Sequence, residues 1–378
     1  MSTAIPPRPS HPDTGGEFFG LVWPGKDAAR EAAHTPLARN FPLDSALSTP
    51  GDSLNRIFAA DNLPVLKELA ARREVFDVIY IDPPYNTGKD FVYRDNYRLR
   101  RQMRSGSYAE WHSEWLSMML PRLILAREVL SPEGFIFVSI GEDEVANTRK
   151  VLDEVFGEGC FAGQLIWKKA GTGKNDAKYA VVGLDSMTLG YLPSLDFPIS
   201  GPDGKEYWPD QPAGKKKVAR WRWSLDKVEQ FYDELVFRRG FVYTKNYQKV
   251  GARPRSILDG ERFGVTRTGR RDAEEAMGIE GIFDFPKPVR LIKHLLSIGG
   301  GKDARVLDFF AGSGTTAQAV IELNAEDGGS RTFHLAQIPE PTPPRSTAHR
   351  AGFSTVADIC MERVRKVPGA TFQVFKQF

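Results

Sequence analysis

Apolar and polar positions fall into blocks of two kinds along most of the chain. One kind is a short, near-continuous apolar run rich in β-branched residues, the length of a buried strand. Residues 56–60, 76–81, 134–140, 165–167, 305–309 and 332–338 read this way. The other kind carries apolar residues three and four apart, the spacing of one helix face. Leu63, Leu66 and Leu69 have it, as do Trp111, Trp115, Met119, Leu123, Ala126 and Leu130. Segments 142–156, 289–297 and 317–324 read as further helices, and Pro121 is expected to kink the longest. Strands that alternate with helices fit an open α/β sheet.

Two stretches lack both patterns. Residues 1–52 are rich in proline, glycine and small side chains and read as a flexible N-terminal arm. Residues 170–272 are rich in glycine, proline and basic residues, with Lys215, Lys216, Lys217, Arg220 and Arg222 close to Trp221 and Trp223. Basic residues among aromatics suit a DNA-facing surface; a solvated insertion is the plainer alternative. Ser224 there fits the N-cap of a short helix. The loop after residue 86 has the same character, with Arg94, Arg98 and Arg101 beside Tyr93 and Tyr97, a mix that suits phosphates and an unstacked base.

Bulk properties narrow the classes. The chain has 378 residues and a formal net charge of only +3, so any nucleic-acid surface must be local. Cys160 and Cys360 allow neither a disulfide framework nor a zinc site, and they fit a reducing cytoplasm. No apolar run approaches the roughly 18 residues of a membrane span. Residues 1–10 lack the apolar core of a secretory signal. No cluster with metal-ligand spacing is visible, so no metal is expected.

Two turns carry the chemistry. The run 76–81 stops at Asp82, and Pro83 and Pro84 forbid its continuation as strand or helix. Asp82 and Tyr85 are thereby held at a strand end, where open α/β sheets bind ligands. A carboxylate, a proline-fixed carbonyl and a ring suit a flat ligand with an amino group: the oxygens accept its hydrogens and the ring stacks on its face. An ordinary turn is the bland alternative. The run 305–309 leads into Asp308-Phe309-Phe310-Ala311-Gly312-Ser313-Gly314-Thr315-Thr316 and then a helix. Strand, glycine turn and helix aim backbone N–H groups at an anionic ligand group. The turn is neither a P-loop nor the dinucleotide fingerprint, because the closing lysine and the third glycine are missing.

DPPYNTG at 82–88 followed by FAGSGTT at 310–316 resembles the amino-methyltransferases of DNA in the beta-class order, with the catalytic half before the cofactor half. YIDPPYNTGKDFVYRD, WRWS, FDFPKPVRLIKHLL, VLDFFAGSGTT and GFSTVADICMERVRK further resemble the modification subunit of type III restriction–modification systems, from about residue 55 to the C-terminus. The resemblance implies a Rossmann-like, S-adenosylmethionine-dependent sheet, mostly parallel and of the seven-strand type, permuted in sequence. It implies a catalytic half at 53–169, a target-recognition insertion at 170–272 and a cofactor half with C-terminal extension at 273–378. Asp82, Pro83, Pro84 and Tyr85 would be catalytic. Asp61, Asn62, Asp308, Phe310, Ala311, Gly312, Gly314, Thr315 and Thr316 would hold the cofactor, Lys287 its methionine carboxylate and Glu340 its ribose. The expected partners are double-stranded DNA, a second copy of the chain and a helicase–nuclease restriction subunit.

The family associates aspartate at the first position of the DPPY motif with adenine, so Asp82 points to the 6-amino group of adenine; the 4-amino group of cytosine is the alternative. Type III members are usually longer, and here the stretch around 178–200 and the region after it are abbreviated. A compact stand-alone methyltransferase and a non-catalytic DNA-binding remnant therefore stay open. Apolar residues along 111–130 offer a surface for dimerisation.

Overall fold

The computed structural model describes residues 20–36, 40–87, 108–168, 180–186, 191–209, 217, 219–238, 240–246 and 256–377. The chain divides into two compact units, 1–171 with 255–378, and 172–254.

The larger unit is built on a six-stranded sheet. In chain order its strands are β1 (Arg56–Ala59), β2 (Phe76–Ile81), β3 (Leu130–Val138), β4 (Arg305–Asp308), β5 (Thr332–Gln337) and β6 (Gln373–Lys376). In space the order is β6-β1-β5-β4-β2-β3, and every neighbouring pair is parallel. Parallel strands are covered on both faces, which explains the near-continuous apolar runs. Along β2, Val78 and Tyr80 enter one core while Ile79 and Ile81 enter the other.

Helices α1 (Lys26–His34), α2 (Asn62–Ala71), α3 (Tyr108–Val129) and α4 (Val145–Phe156) lie on the face of Ile79 and Ile81. There Trp115, Met119, Leu123 and Ala126 of α3 pack with Val65, Leu66 and Leu69 of α2. Helices α6 (Val289–Gly299), α7 (Thr315–Asp327) and α8 (Val356–Lys366) cover the opposite face through Leu295, Leu296, Val320 and Val364. Helix α5 (Thr266–Met277) packs on α8 and adds a small cluster through Ala273 and Met277.

Several expectations change. Residues 20–36 and 40–51 are not a free arm: Trp23, Ala29 and Ala33 are buried, and Trp23 Nε1 donates to Ser117 Oγ of α3 (2.9 Å). Lys26 and Arg30 share Glu154 of α4 (2.7 and 2.5 Å). Small residues one turn apart let α1 approach α3 closely, and a proline- and glycine-rich composition hid that pattern. Helix α3 continues as one element through Pro121, where a kink is expected. Trp115, Met119, Leu123 and Ala126 are buried inside this chain, which removes them as a ground for dimerisation. The expected strand at 165–167 is a two-residue pairing of Ile166–Trp167 with Ile257–Leu258, separate from the main sheet.

The smaller unit holds an antiparallel three-stranded sheet, Leu235–Arg238, Phe241–Asn246 and Ala180–Gly183. Leu184, Ile199, Trp221, Val228, Leu235 and Val242 form its core. Ser224 caps the helix Leu225–Gln230, as its position in the sequence suggested.

Candidate active site at the switch point of the sheet

Strand order creates the site. From β2 the chain leaves through α3 to β3 on one side; from β4 it leaves through α7 to β5 on the other. The carboxyl ends of β2 and β4 therefore flank a topological switch point, where loops diverge and leave a crevice. Asp82 follows β2, and Asp308 ends β4.

At the β2 end the turn is fixed by its neighbours. Pro83 is buried, and the Pro84 carbonyl accepts a hydrogen bond from Trp115 Nε1 (2.7 Å). Asp82 Oδ2 is ion-paired with Lys287, whose side chain is 9% exposed. Asp82 Oδ1 is buried and has no hydrogen-bond partner among the described residues. The Lys287 ammonium also stands 5.1 Å from the centre of the Tyr85 ring. Lys287 is held in turn by α5: a side chain at Gly269 would put its Cβ 2.0 Å from the Pro286 carbonyl, and Asp272 caps α6 through Val289 N (2.9 Å). Lys287, expected at a cofactor carboxylate, thus lies on Asp82.

At the β4 end, Asp308 is buried, accepting from Thr316 Oγ1 (2.5 Å) and Phe310 N (3.0 Å). Burial raises its carboxyl to about 7, and the nearby Asp82 charge adds to the rise. Gly312 and Gly314 both take positive φ, 55° and 83°, as a glycine turn into a helix requires. Gly314 also abuts α8, where an added Cβ would lie 3.0 Å from Val364 and 3.2 Å from Cys360. Phe310 is half-buried, and Ala311, Thr315 and Thr316 are buried.

Asp61 caps α2 by accepting from Leu63 N (2.8 Å) and also pairs with Arg122 (3.0 Å). Asn62 donates to the Phe309 carbonyl (2.5 Å) and accepts from Arg122 Nε (2.5 Å), tying β1 to the glycine turn. Glu340 lies three residues past the end of β5, with its carbonyl bound to Val356 N (2.9 Å).

Four residues escaped the sequence reading. Gln337, the last residue of β5, accepts from Gly312 N (2.7 Å); its place at a strand end was the available signal. Arg363 of α8 is fully buried and donates to Ser313 Oγ (2.6 Å) and Thr315 Oγ1 (2.9 Å) behind the glycine turn. Burial lowers its guanidinium to about 10. Arg122 and Glu144 looked like ordinary helix residues, and nothing in their spacing marked them.

Of the residues expected on DNA, Arg94, Arg98, Arg101, Lys215 and Lys216 lie outside the described residues. Lys217 pairs with Asp196 (2.5 Å), whose side chain is 4% exposed. Arg220 is half-buried in a two-residue strand and Arg222 is exposed. Among the described residues no helix is long and apolar enough to cross a membrane.

The chain is 32% identical over 411 residues to the StyLTI Mod subunit, a type III restriction-modification enzyme of Salmonella typhimurium, covering 91% of this chain. It spans 62% of that relative's length. The EcoPI Mod subunit of Escherichia phage P1 is 30% identical, with 95% of this chain and 70% of the relative aligned. The type II methyltransferase M.KpnI of Klebsiella pneumoniae is 29% identical, with 86% and 89% aligned. A family profile described as DNA methylase (N6_N4_Mtase) matches residues 76–333, from β2 through the glycine turn into β5, and the chain belongs to that family.

Proposed function

We propose that the chain methylates the exocyclic 6-amino group of adenine in double-stranded DNA, with the base turned out of the duplex so that the amino group can be reached. The observation that carries this reading is a buried Asp82 Oδ1, without a hydrogen-bond partner among the described residues, beside a glycine turn at one switch point. S-adenosylmethionine, when bound, supplies a methyl group on a sulfonium with a good leaving group. The turn suits it: Phe310, Ala311, Gly312, Gly314, Thr315 and Thr316 bring backbone close at a helix N-terminus, with Asp61, Asn62 and Asp308 beside it.

An aromatic amino nitrogen is a poor nucleophile because its lone pair is delocalised into the ring. Asp82 Oδ1 and the Pro83 carbonyl accept its two hydrogens, which favours a pyramidal nitrogen with the lone pair released. Tyr85 stacks on the base. Lys287 occupies Oδ2 and leaves Oδ1 for the amino group. As the nitrogen gains the methyl it sheds a proton, which the Asp82 carboxylate is placed to take. Positioning supplies much of the rate.

The test is transfer from tritium-labelled S-adenosylmethionine to DNA, followed by nucleoside analysis. The expected product is N6-methyladenine. N4-methylcytosine would shift the assignment to the second base, since this geometry serves both. No transfer would overturn the reading and leave a DNA-binding remnant. Two relatives are named as subunits of restriction-modification enzymes. We extend this to a homodimer that accepts a helicase–nuclease subunit, and a monomer mass by light scattering, with transfer intact, would remove that extension.

A further inference from the structure

We propose that Glu144 is a positioning residue for the catalytic turn, acting through Asn86, while Gly141 in the same loop sets the seat of Tyr85. The inference rests on the reading of Asp82–Tyr85 as a methyl-transfer site.

The loop follows β3, the strand next to β2, so it emerges beside the Asp-Pro-Pro-Tyr turn. Glu144 stands at the N-cap of α4, yet its side chain makes no cap. It turns inward instead and is 0% exposed. Glutamate is not a preferred N-cap, and a buried carboxylate is costly unless it is hydrogen-bonded. Here one bond is made to Asn86, which closes the catalytic turn, and the others to His112 of α3 and Asn147 of α4. Glu144 Oε1 accepts from Asn86 Nδ2 (2.6 Å) and faces His112 Nδ1 (2.7 Å), and Oε2 accepts from Asn147 Nδ2 (2.8 Å).

Asn86 directly follows Tyr85, is 1% exposed and has φ of 59°. The left-handed region is unfavourable for a residue with a side chain, and asparagine is among the few that visit it. The bond to Glu144 thus holds the residue that turns the chain away after Tyr85. Three residues before Glu144, Gly141 touches the ring: a Cβ there would lie 3.1 Å from Tyr85 Cδ2 and 3.5 Å from its Cβ and Cγ. One loop therefore fixes both the backbone after the catalytic tyrosine and the near edge of its ring.

The experiment compares the full chain with Glu144→Gln and with the double variant E144Q/N147D. Glutamine keeps the volume but gives up one acceptor, so its single oxygen cannot serve Asn86, His112 and Asn147 together. Aspartate at 147 restores an acceptor. Two readouts are taken: hydrogen–deuterium exchange of the peptide holding Tyr85, Asn86 and Thr87, and methyl transfer with cofactor affinity measured separately. In E144Q, exchange should speed up and kcat should fall about a hundredfold, with cofactor Kd unchanged. The double variant should restore both. Unaltered exchange in E144Q, or a double variant that restores neither readout, overturns the proposal. Exchange that responds in a chain that never transfers methyl would keep the positioning role and overturn the reaction assignment instead. If E144Q does not fold, Gly141→Ala presses on Tyr85 alone, and an unchanged kcat there counts against the proposal.

Discussion

The turn after β2 and the turn after β4 face one crevice but hold their shapes by different means. The first is stiffened covalently by Pro83 and Pro84 and tied from outside by Trp115, Lys287 and the Glu144 cluster. The second depends on backbone freedom at Gly312 and Gly314 and is packed from behind by Arg363, Gln337 and Asn62. The difference fits the roles proposed for the two turns. A reacting nitrogen needs side-chain atoms held at fixed points, so the first turn presents a carboxylate and a ring. A cofactor needs close backbone approach, so the second removes side chains. Damage to the first should therefore appear in turnover, and damage to the second in cofactor affinity.

The largest effect should come from Asp82→Asn, with transfer down by about a hundred- to a thousandfold because an acceptor at the reacting nitrogen is lost. The structure adds a cost for Asp82→Ala: the Lys287 ammonium, 9% exposed, loses its carboxylate. We expect about 1–3 kcal/mol of lost stability there. Lys287→Met on the Asp82→Ala background should recover stability without turnover. Recovery of turnover in that double variant would refute the role given to Asp82.

Next comes Asp308→Asn. Burial raises the Asp308 carboxyl from 3.8 to about 7. Between those values the folded chain keeps a proton that the unfolded chain has released. Stability from this group is greatest below the lower value and falls as pH rises through the upper one, by about 4 kcal/mol at most. D308N should flatten that loss, so its gain over wild type should grow from pH 5 to pH 8 in urea unfolding. His334, kept neutral by burial with a value of about 3, acts in the opposite sense below pH 6.5. The difference between the two proteins is therefore the quantity to follow, and a difference independent of pH would contradict the assignment.

Gly312→Ala should weaken cofactor binding about tenfold, because a residue with a side chain pays roughly 1–2 kcal/mol for left-handed φ. Space is not the obstacle: the nearest atom to an added Cβ is in Phe283 at 3.6 Å. Turnover at saturating cofactor should be nearly retained, and an equal loss in both parameters would erase the contrast between the turns. Gly314→Val is the poorer probe, since it also strikes α8.

The smallest effect belongs to Lys217→Ala. Its ammonium is engaged by Asp196, so the salt slope of DNA binding should fall by less than the value of about one for a free phosphate contact. A full unit would mean that the lysine leaves Asp196 for DNA.

The sequence by itself determined the order of the main strands and helices and the two turns, and it suggested the chemistry proposed for them. Those features are local: a buried parallel strand announces itself by an apolar run, prolines and glycines restrict or free the backbone where they stand, and Ser224 caps the helix it begins. Spacing could not reveal which distant groups meet. Lys287 is 205 residues from Asp82 in sequence and reaches it only because β2 and β4 are neighbours and Gly269 lets α5 press on the Pro286–Pro288 segment. Glu144, Arg122 and Arg363 read as surface-helix residues because burial of a charge leaves no pattern along the chain; each is tolerated through partners that the fold supplies. The docking of α1 was invisible for the same reason, since two alanines and a tryptophan acquire meaning only against α3. Tertiary structure alone decided these contacts, because side-chain burial and pairing depend on neighbours in space.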